Sequence, residues 1–223
     1  MSATSGSWAE RAADRSPSVQ RSRTRSIERA RQIVEAARRL ISARGTAWTT
    51  QELVQEASVA IKTFYKHFGS KDQVLLAVLE DMIAEGCATF VEQARALPDP
   101  LARLRFYVTA VITGLDHDDG SDLGPRFVTS EHWRLQQLYP EEVALASRPF
   151  TELLVPEIRA AAEAGLLHPK DTEYDAWLVN QLAMAVYHHY AFSTSEPHEQ
   201  VADRLWSFCL AALGGGPDDS ETS

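Results

Sequence analysis

Residues 49–72 read TTQELVQEASVAIKTFYKHFGSKD. Thr49 followed three residues later by Glu52 is the pattern of a capping box, and it opens a short helix that runs through Glu56. Ala57 and Ser58 are small enough for a tight turn ending at Val59. A second short helix follows from about Ala60 to Lys66, and Gly69 interrupts it. Leu53 and Val59 supply the apolar contacts that lock the two helices at their crossing angle. Phe64 and Phe68 point inward, whereas Lys62, Thr63, Tyr65, Lys66 and His67 point outward. Two short helices joined by a tight turn in a basic segment form a helix-turn-helix pattern, whose second helix presents polar side chains to a polyanion.

Working outward, Ile27, Ala30, Ile33, Val34, Ala37, Leu40 and Ile41 recur at three- and four-residue steps, one face of a preceding helix that Gly45 stops. Downstream, Ser70 with Gln73 is a second capping-box pattern. The long helix it opens keeps its period from Val74 to Leu97 and ends at Pro98. Asp99-Pro100 caps a further helix reaching about Leu115. An acidic loop occupies Asp116–Pro125, and helices are expected at about 126–137, 140–165, 172–194 and 197–213. Pro149 and Pro156 predict a kink or break in the third of these segments. Alternating strand patterns are absent, so the fold class is all-α with about nine helices.

The charge is unevenly divided. The net charge is −9, yet residues 1–71 hold 13 of the 22 Lys and Arg and only 6 of the 31 Asp and Glu, a local charge of +7. The remainder carries −16. A basic head on an acidic body suits a head that meets nucleic acid. Two cysteines far apart exclude a disulfide scaffold or zinc ribbon and fit a reducing, cytoplasmic setting. No apolar run approaches the ~20 residues of a membrane span, and the Ser- and Arg-rich start lacks the apolar core of a secretory signal. The expected organisation is a disordered basic arm at 1–24, a helix-turn-helix domain at 25–70, a ligand-binding and dimerisation domain at 71–213 and a disordered tail at 214–223. The arm residues Arg23 and Arg25, within Arg21–Arg25, are candidates for the minor groove or the phosphates beside it.

The run Thr63–Asp72, TFYKHFGSKD, resembles the T-[LFI]-Y-x-H-F-x-[SN]-K-[ED] run of the tetracycline-repressor (TetR) family. Ile33–Gly45 is similar to that family's first helix, and Leu53–Val59 to its second helix and turn. The resemblance covers about Ile27 to Leu79; beyond it the chain matches only in architecture. Two positions depart from the pattern. Ser58 stands where the turn usually has Gly. Ala60 stands where the recognition helix usually opens with Ser or Thr, and Ala lacks a capping oxygen worth roughly 0.5–2 kcal/mol.

The resemblance implies a homodimeric regulator of transcription, usually a repressor, released from a palindromic double-stranded DNA operator by a small molecule held in the larger domain. It places Thr49 and Thr50 at a backbone phosphate, Lys62, Thr63 and Lys66 at the major groove or its edge, and Tyr65, His67 and Lys71 at phosphates, with packing between the head helices as the alternative for Tyr65 and His67. It pairs the last two helices across a two-fold axis, setting the recognition helices ~34 Å apart. The Asp175–Ala191 segment, apolar on two faces, independently asks for cover on both. Ligand would shift the population toward a head spacing that no longer fits the operator, with the long helix from Ser70 as the lever.

Aromatic residues concentrate after residue 86, and the run His132-Trp133-Arg134 sets polar groups beside large rings. A pocket walled by Met82, Phe90, Phe106, Tyr107, Phe127 and Trp133 would suit an apolar or amphipathic effector. Neither a cofactor, a metal site nor a membrane partner is expected, and no set of residues marks a catalytic centre. Asp118-Asp119-Gly120-Ser121-Asp122 matches the DDxxD magnesium–diphosphate motif of prenyl enzymes, but it contains Gly, sits in a loop and lacks a second acidic motif. The other alternative is a helical adaptor that binds protein through the acidic body.

Overall fold

The computed structural model describes Trp8 and residues 16–116, 125–193 and 195–216. These residues form α1 (Pro17–Arg44), α2 (Thr50–Glu56), α3 (Ile61–His67), α4 (Lys71–Ala94), α5 (Pro100–Thr113), α6 (Pro125–Leu138), α7 (Pro140–Glu163), α8 (Thr172–Tyr190) and α9 (His198–Ala212), with a 3-10 turn at Gly114–Asp116. The chain divides into a smaller unit, Met1–Val74, and a larger one, Leu75–Ser223. The boundary therefore falls just inside α4 rather than ahead of it. The acidic Asp118–Asp122 motif, residues 217–223 and the arm before residue 16, Trp8 apart, lie outside the described residues.

In the smaller unit α1 starts ten residues before its first apolar periodic position. The expectation of a disordered arm to residue 24 is corrected for residues 17–24, which are helical. Pro17 sits in the first turn, where its missing N–H costs nothing, and neither Gly nor Pro follows before Gly45. Gly45 then adopts φ 62° and its N–H donates to the Ile41 carbonyl at 2.7 Å, ending the helix. Ile33, Ala36, Ala37 and Ile41 of α1, Leu53 and Val54 of α2 and Phe64 of α3 are buried. Phe68, expected to point inward like Phe64, is half-buried. Gln32 Nε2 donates to the Ala57 carbonyl at 2.7 Å and so ties α1 to the turn. Arg39–Glu56 at 2.7 Å and Arg44–Glu52 at 2.8 Å join α1 to α2, but both pairs are exposed and weakly stabilising.

In the larger unit α5 packs against α7, α8 and α9. Leu104, Tyr107, Val108 and Ile112 are buried with Leu154 and Ile158 of α7, Val179 and Ala183 of α8, and Leu205 and Cys209 of α9. Asp99 accepts from the Ala102 amide at 2.8 Å, and Asp171 accepts from the Glu173 and Tyr174 amides at 3.1 Å, so side-chain caps start α5 and α8. Of the kink or break expected at Pro149 and Pro156, the break is absent: α7 runs through both. Each proline deprives the carbonyl four residues earlier of its partner. Those carbonyls belong to Leu145 and Glu152, both exposed, so water can replace the lost bonds while the buried stripe Val143, Ala146, Phe150, Leu154, Ile158 and Ala161 stays in register. Arg103 donates to Glu157 at 3.0 Å, joining α5 to α7, and that carboxylate raises the guanidinium's already high pKa.

Candidate functional site

The helix-turn-helix is built as its pattern dictates. The Thr49 hydroxyl accepts from the Glu52 amide at 3.2 Å, and Glu52 Oε2 accepts from the Thr49 amide at 2.7 Å. The Thr49 amide and hydroxyl, with Arg44 beside them, hold the Glu52 carboxyl below its ordinary range. Trp48, directly before the cap, is 3% exposed and occupies the position from which an apolar residue staples a helix start to Leu53. Sequence reasoning passed over Trp48, although a large apolar residue before a Thr-x-x-Glu box is a signal for it. The turn needs a left-handed residue, and Ser58 takes that role at φ 52°. Ala60 is the N-cap of α3 without any side-chain cap bond; its carbonyl accepts from the Thr63 amide at 2.8 Å and the Phe64 amide at 3.2 Å.

On α3, Lys62, Tyr65 and Lys66 are exposed, at the i, i+3 and i+4 positions of one outward face. Tyr65 is 59% exposed and its ring stands edge-on to Phe64 at 5.1 Å. Thr63 and His67 are half-buried, and with Lys66 they turn toward α1. Thr49 is exposed but its hydroxyl also donates to Glu52 at 2.8 Å, and Thr50 is half-buried. Lys71 is engaged within the head: its ammonium donates to the Thr46 and Trp48 carbonyls and lies 4.4 Å from the centre of the Trp48 indole. A phosphate reaching Lys71 would have to compete with those bonds. The second capping box is half made: Ser70 Oγ accepts from the Gln73 amide at 3.3 Å, whereas the Gln73 carboxamide accepts from Gly69 N–H at 2.6 Å rather than from Ser70.

The larger unit holds a cavity of about 290 Å³ formed by α4 to α8. Its walls are Met82, Ile83, Cys87, Phe90, Val111, Val128, Phe150 and Met184, with Ser147, Asn180 and Tyr187 as polar groups and Gly86 opening the α4 side. Burial pushes the Cys87 thiol up to about 11 and raises the Tyr187 phenol further, so both are neutral at pH 7. Of the six residues expected to wall a pocket, Met82 and Phe90 line this cavity. Phe106 stands edge-on behind Phe90 at 6.0 Å, Tyr107 and Phe127 are buried away from the lining, and Trp133 lies elsewhere. Asn180 was missed. Its signal was a carboxamide in the apolar stripe Ala176–Ala183–Met184–Tyr187; it is 2% exposed and its Nδ2 donates to Thr151 Oγ1 at 3.0 Å.

A larger groove of about 840 Å³ runs beside this cavity, lined by His132, Trp133, Leu145, Arg148, Trp177, Gln181 and His188 among others. At its floor His188 Nδ1 lies 3.0 Å from Thr129 Oγ1, and His188 Nε2 lies 3.2 Å from His132 Nδ1. Burial, then the neighbouring His132 ring, lowers the His188 pKa to about 4, and burial lowers that of His132. Glu131, also buried, accepts from Arg134 at 2.8 Å. Among the described residues no three His, Cys, Asp or Glu side chains gather as a metal site, and no helix is long and apolar enough to cross a membrane.

A family model described as bacterial regulatory proteins, tetR family, matches residues 33–78. The HTH-type transcriptional regulator HbdR of Aromatoleum sp. (strain CIB) is 27% identical over 168 residues, spanning 74% of this chain and 72% of that one. The crystal structure of a bacterial regulatory protein in the tetR family from Rhodococcus RHA1 is 25% identical, with a TM-score of 0.57 over 84% of this chain and 98% of that one. The structure of RolR in complex with resorcinol shares the fold, with a TM-score of 0.64 over 86% of this chain and 90% of that one at 17% identity.

Proposed function

We propose that the chain is a TetR-type regulator, a ligand-responsive, sequence-specific DNA-binding protein that acts as a homodimeric repressor released by a small uncharged molecule. The observation that carries this reading is the outward face of α3. Lys62, Tyr65 and Lys66 stand exposed on a helix whose other side is fixed by the fully buried Phe64, the arrangement a recognition helix needs in a major groove. Lys62, Thr63 and Lys66 address the groove or its edge, and Tyr65, His67 and the α2 start at Thr49 and Thr50 address phosphates.

The cavity lining supports the effector class. It contains no charged side chain, its walls are mainly aliphatic, sulfur and aromatic, and two hydroxyls and one carboxamide can orient a ligand. A volume of about 290 Å³ suits a molecule of one or two rings. RolR, of the same fold, holds resorcinol, a ligand within that size. Trp177, Leu178 and Phe208, exposed on α8 and α9, support pairing of those helices between two copies. Effector binding would shift the population between DNA-competent and released dimers.

Fluorescence anisotropy against DNA from upstream of the protein's own gene, with scrambled DNA as control and across a salt series, tests the reading. Tight, salt-sensitive binding selective for the upstream fragment is expected. No binding to either DNA at any salt would overturn it.

A further inference from the structure

We propose that the N-terminal part of α1 and the recognition helix α3 together form a phosphate cleft, in which Arg21, Arg25 and Arg29 face Lys66 across one strand of the DNA backbone. The inference rests on the DNA-binding reading and adds a second contact surface to it. The cleft measures about 720 Å³ and is lined by Ser18, Arg21, Ser22, Arg25, Ser26 and Arg29 from α1 and by Thr63, Lys66 and His67 from α3. The six α1 residues follow steps of i, i+3, i+4, i+7, i+8 and i+11, a single helical stripe. An arm without structure would scatter these side chains; the helix from Pro17 aligns them.

The chemistry of the lining selects the occupant. Three guanidiniums, an ammonium and four hydroxyls supply donors, and the lining contains no carboxylate. Arginines four residues apart repel one another on a bare helix. Here they recur at 21, 25 and 29, and the positions between them that line the cleft are serines, Ser22 and Ser26, with Glu28 outside the lining, so an anion entering the cleft relieves the repulsion. Arg29 Nη1 donates to Gln32 Oε1 at 2.7 Å, which steadies the inner end of the row. A polyanion fits better than an isolated phosphate, because the cationic row extends over two helical turns, about 12 Å of rise. It also ends at Lys66, on the same short helix as the outward Lys62 and Tyr65. A duplex whose major groove receives α3 would therefore present its flanking backbone to α1. The helix also divides the arginines of the arm. Arg25 belongs to the cleft, whereas Arg23, about 200° around the helix from Arg21, does not line it.

A charge-matched comparison tests the cleft in the full-length protein. Arg21→Gln with Arg25→Gln removes two cleft cations; Arg23→Gln with Arg31→Gln removes two from α1 outside the lining. All three proteins are titrated by anisotropy with a mixed-sequence 30-base-pair duplex between 50 and 200 mM salt, then with the upstream fragment. Loss of two phosphate contacts lowers the slope of log K against log salt by about 2. That decrease is expected for the cleft pair, and less than half of it for the other pair. Selectivity for the upstream fragment over scrambled DNA should stay within about twofold in both, since backbone contacts read no sequence. Equal slopes in the two double variants would mean that net charge alone matters and would overturn the cleft. Absence of salt-sensitive binding by the unsubstituted protein would overturn the DNA-binding reading beneath it.

Discussion

Ser58 and His188 each hold a conformation or a charge state at a cost that a single substitution can expose. Ser58 adopts φ 52°, in the left-handed region where an L-residue is disfavoured by roughly 1–2 kcal/mol. Glycine escapes that penalty but gives back part of the gain through the greater freedom of its unfolded chain. Ser58→Gly should therefore raise stability by about 0.5–1 kcal/mol, read as a higher urea midpoint at unchanged slope; a lower midpoint would show that the hydroxyl contributes more than the backbone loses. His188 lies between the Thr129 hydroxyl and His132, and protonating both rings would set two N–H groups against each other. Its pKa in the fold, about 4, lies below the 6.5 of an ordinary histidine, so the unfolded chain binds the proton first. The stability associated with neutral His188 is present above pH 6.5 and is lost as the pH falls toward 4, amounting to about 2 kcal/mol by pH 5. His188→Asn should flatten the decline of Tm between pH 7 and 5, whatever it does to Tm at pH 7. A parallel decline in both proteins would place the acid sensitivity elsewhere.

Element boundaries were legible where a specific residue marks them, and faces were legible only where one neighbour decides them. Thr49, Gly45, Asp99-Pro100 and Pro140 each mark a helix end through a local bond or a missing N–H, and those ends stand where the chain predicts. The start of α1 was missed because low apolar content reads as disorder, although charged residues such as Arg propagate a helix well once its apolar turns are anchored. The cavity was legible only at Met82 and Phe90, for a different reason. Phe90 and Phe106 touch as a T-shaped pair, yet Phe90 alone is at the wall; which ring meets the space depends on how α4 and α5 pack, which periodicity does not encode. Gly86 makes the point testable on α4. A Cβ there would meet nothing within 4 Å, and glycine inside a helix costs about 1 kcal/mol relative to alanine. Gly86→Ala should stabilise the fold by up to about 1 kcal/mol. Gly86→Leu, reaching into the cavity, should abolish the Tm increase produced by a neutral aromatic probe such as phenol. If phenol raises the Tm of Gly86→Leu as it does that of the unsubstituted protein, the bound probe is not in this cavity.

At the scale of the whole molecule, α8 is the element on which the proposed effector site and the proposed dimer surface meet. Asn180, Met184 and Tyr187 line the cavity, while Tyr174, Trp177 and Leu178 are exposed, with the Tyr174 and Trp177 rings stacked at 5.4 Å. Phe208 of α9 is 64% exposed. Large rings left in water on both terminal helices are the surface expected of a partner copy, and the proposed two-fold operator would require one. Sedimentation at micromolar concentration should accordingly return twice the chain mass of 24.8 kDa. Trp177→Glu with Phe208→Glu places four charges in a two-fold interface and should give a monomer. That monomer engages one half-site, so its salt slope on the upstream fragment should fall to about half. The cavity side of α8 is untouched by these substitutions, so the phenol-induced rise in Tm should survive them. A double variant that remains dimeric would remove α8 and α9 from the interface; one that is monomeric but no longer responds to phenol would show that the cavity is closed only when two copies meet.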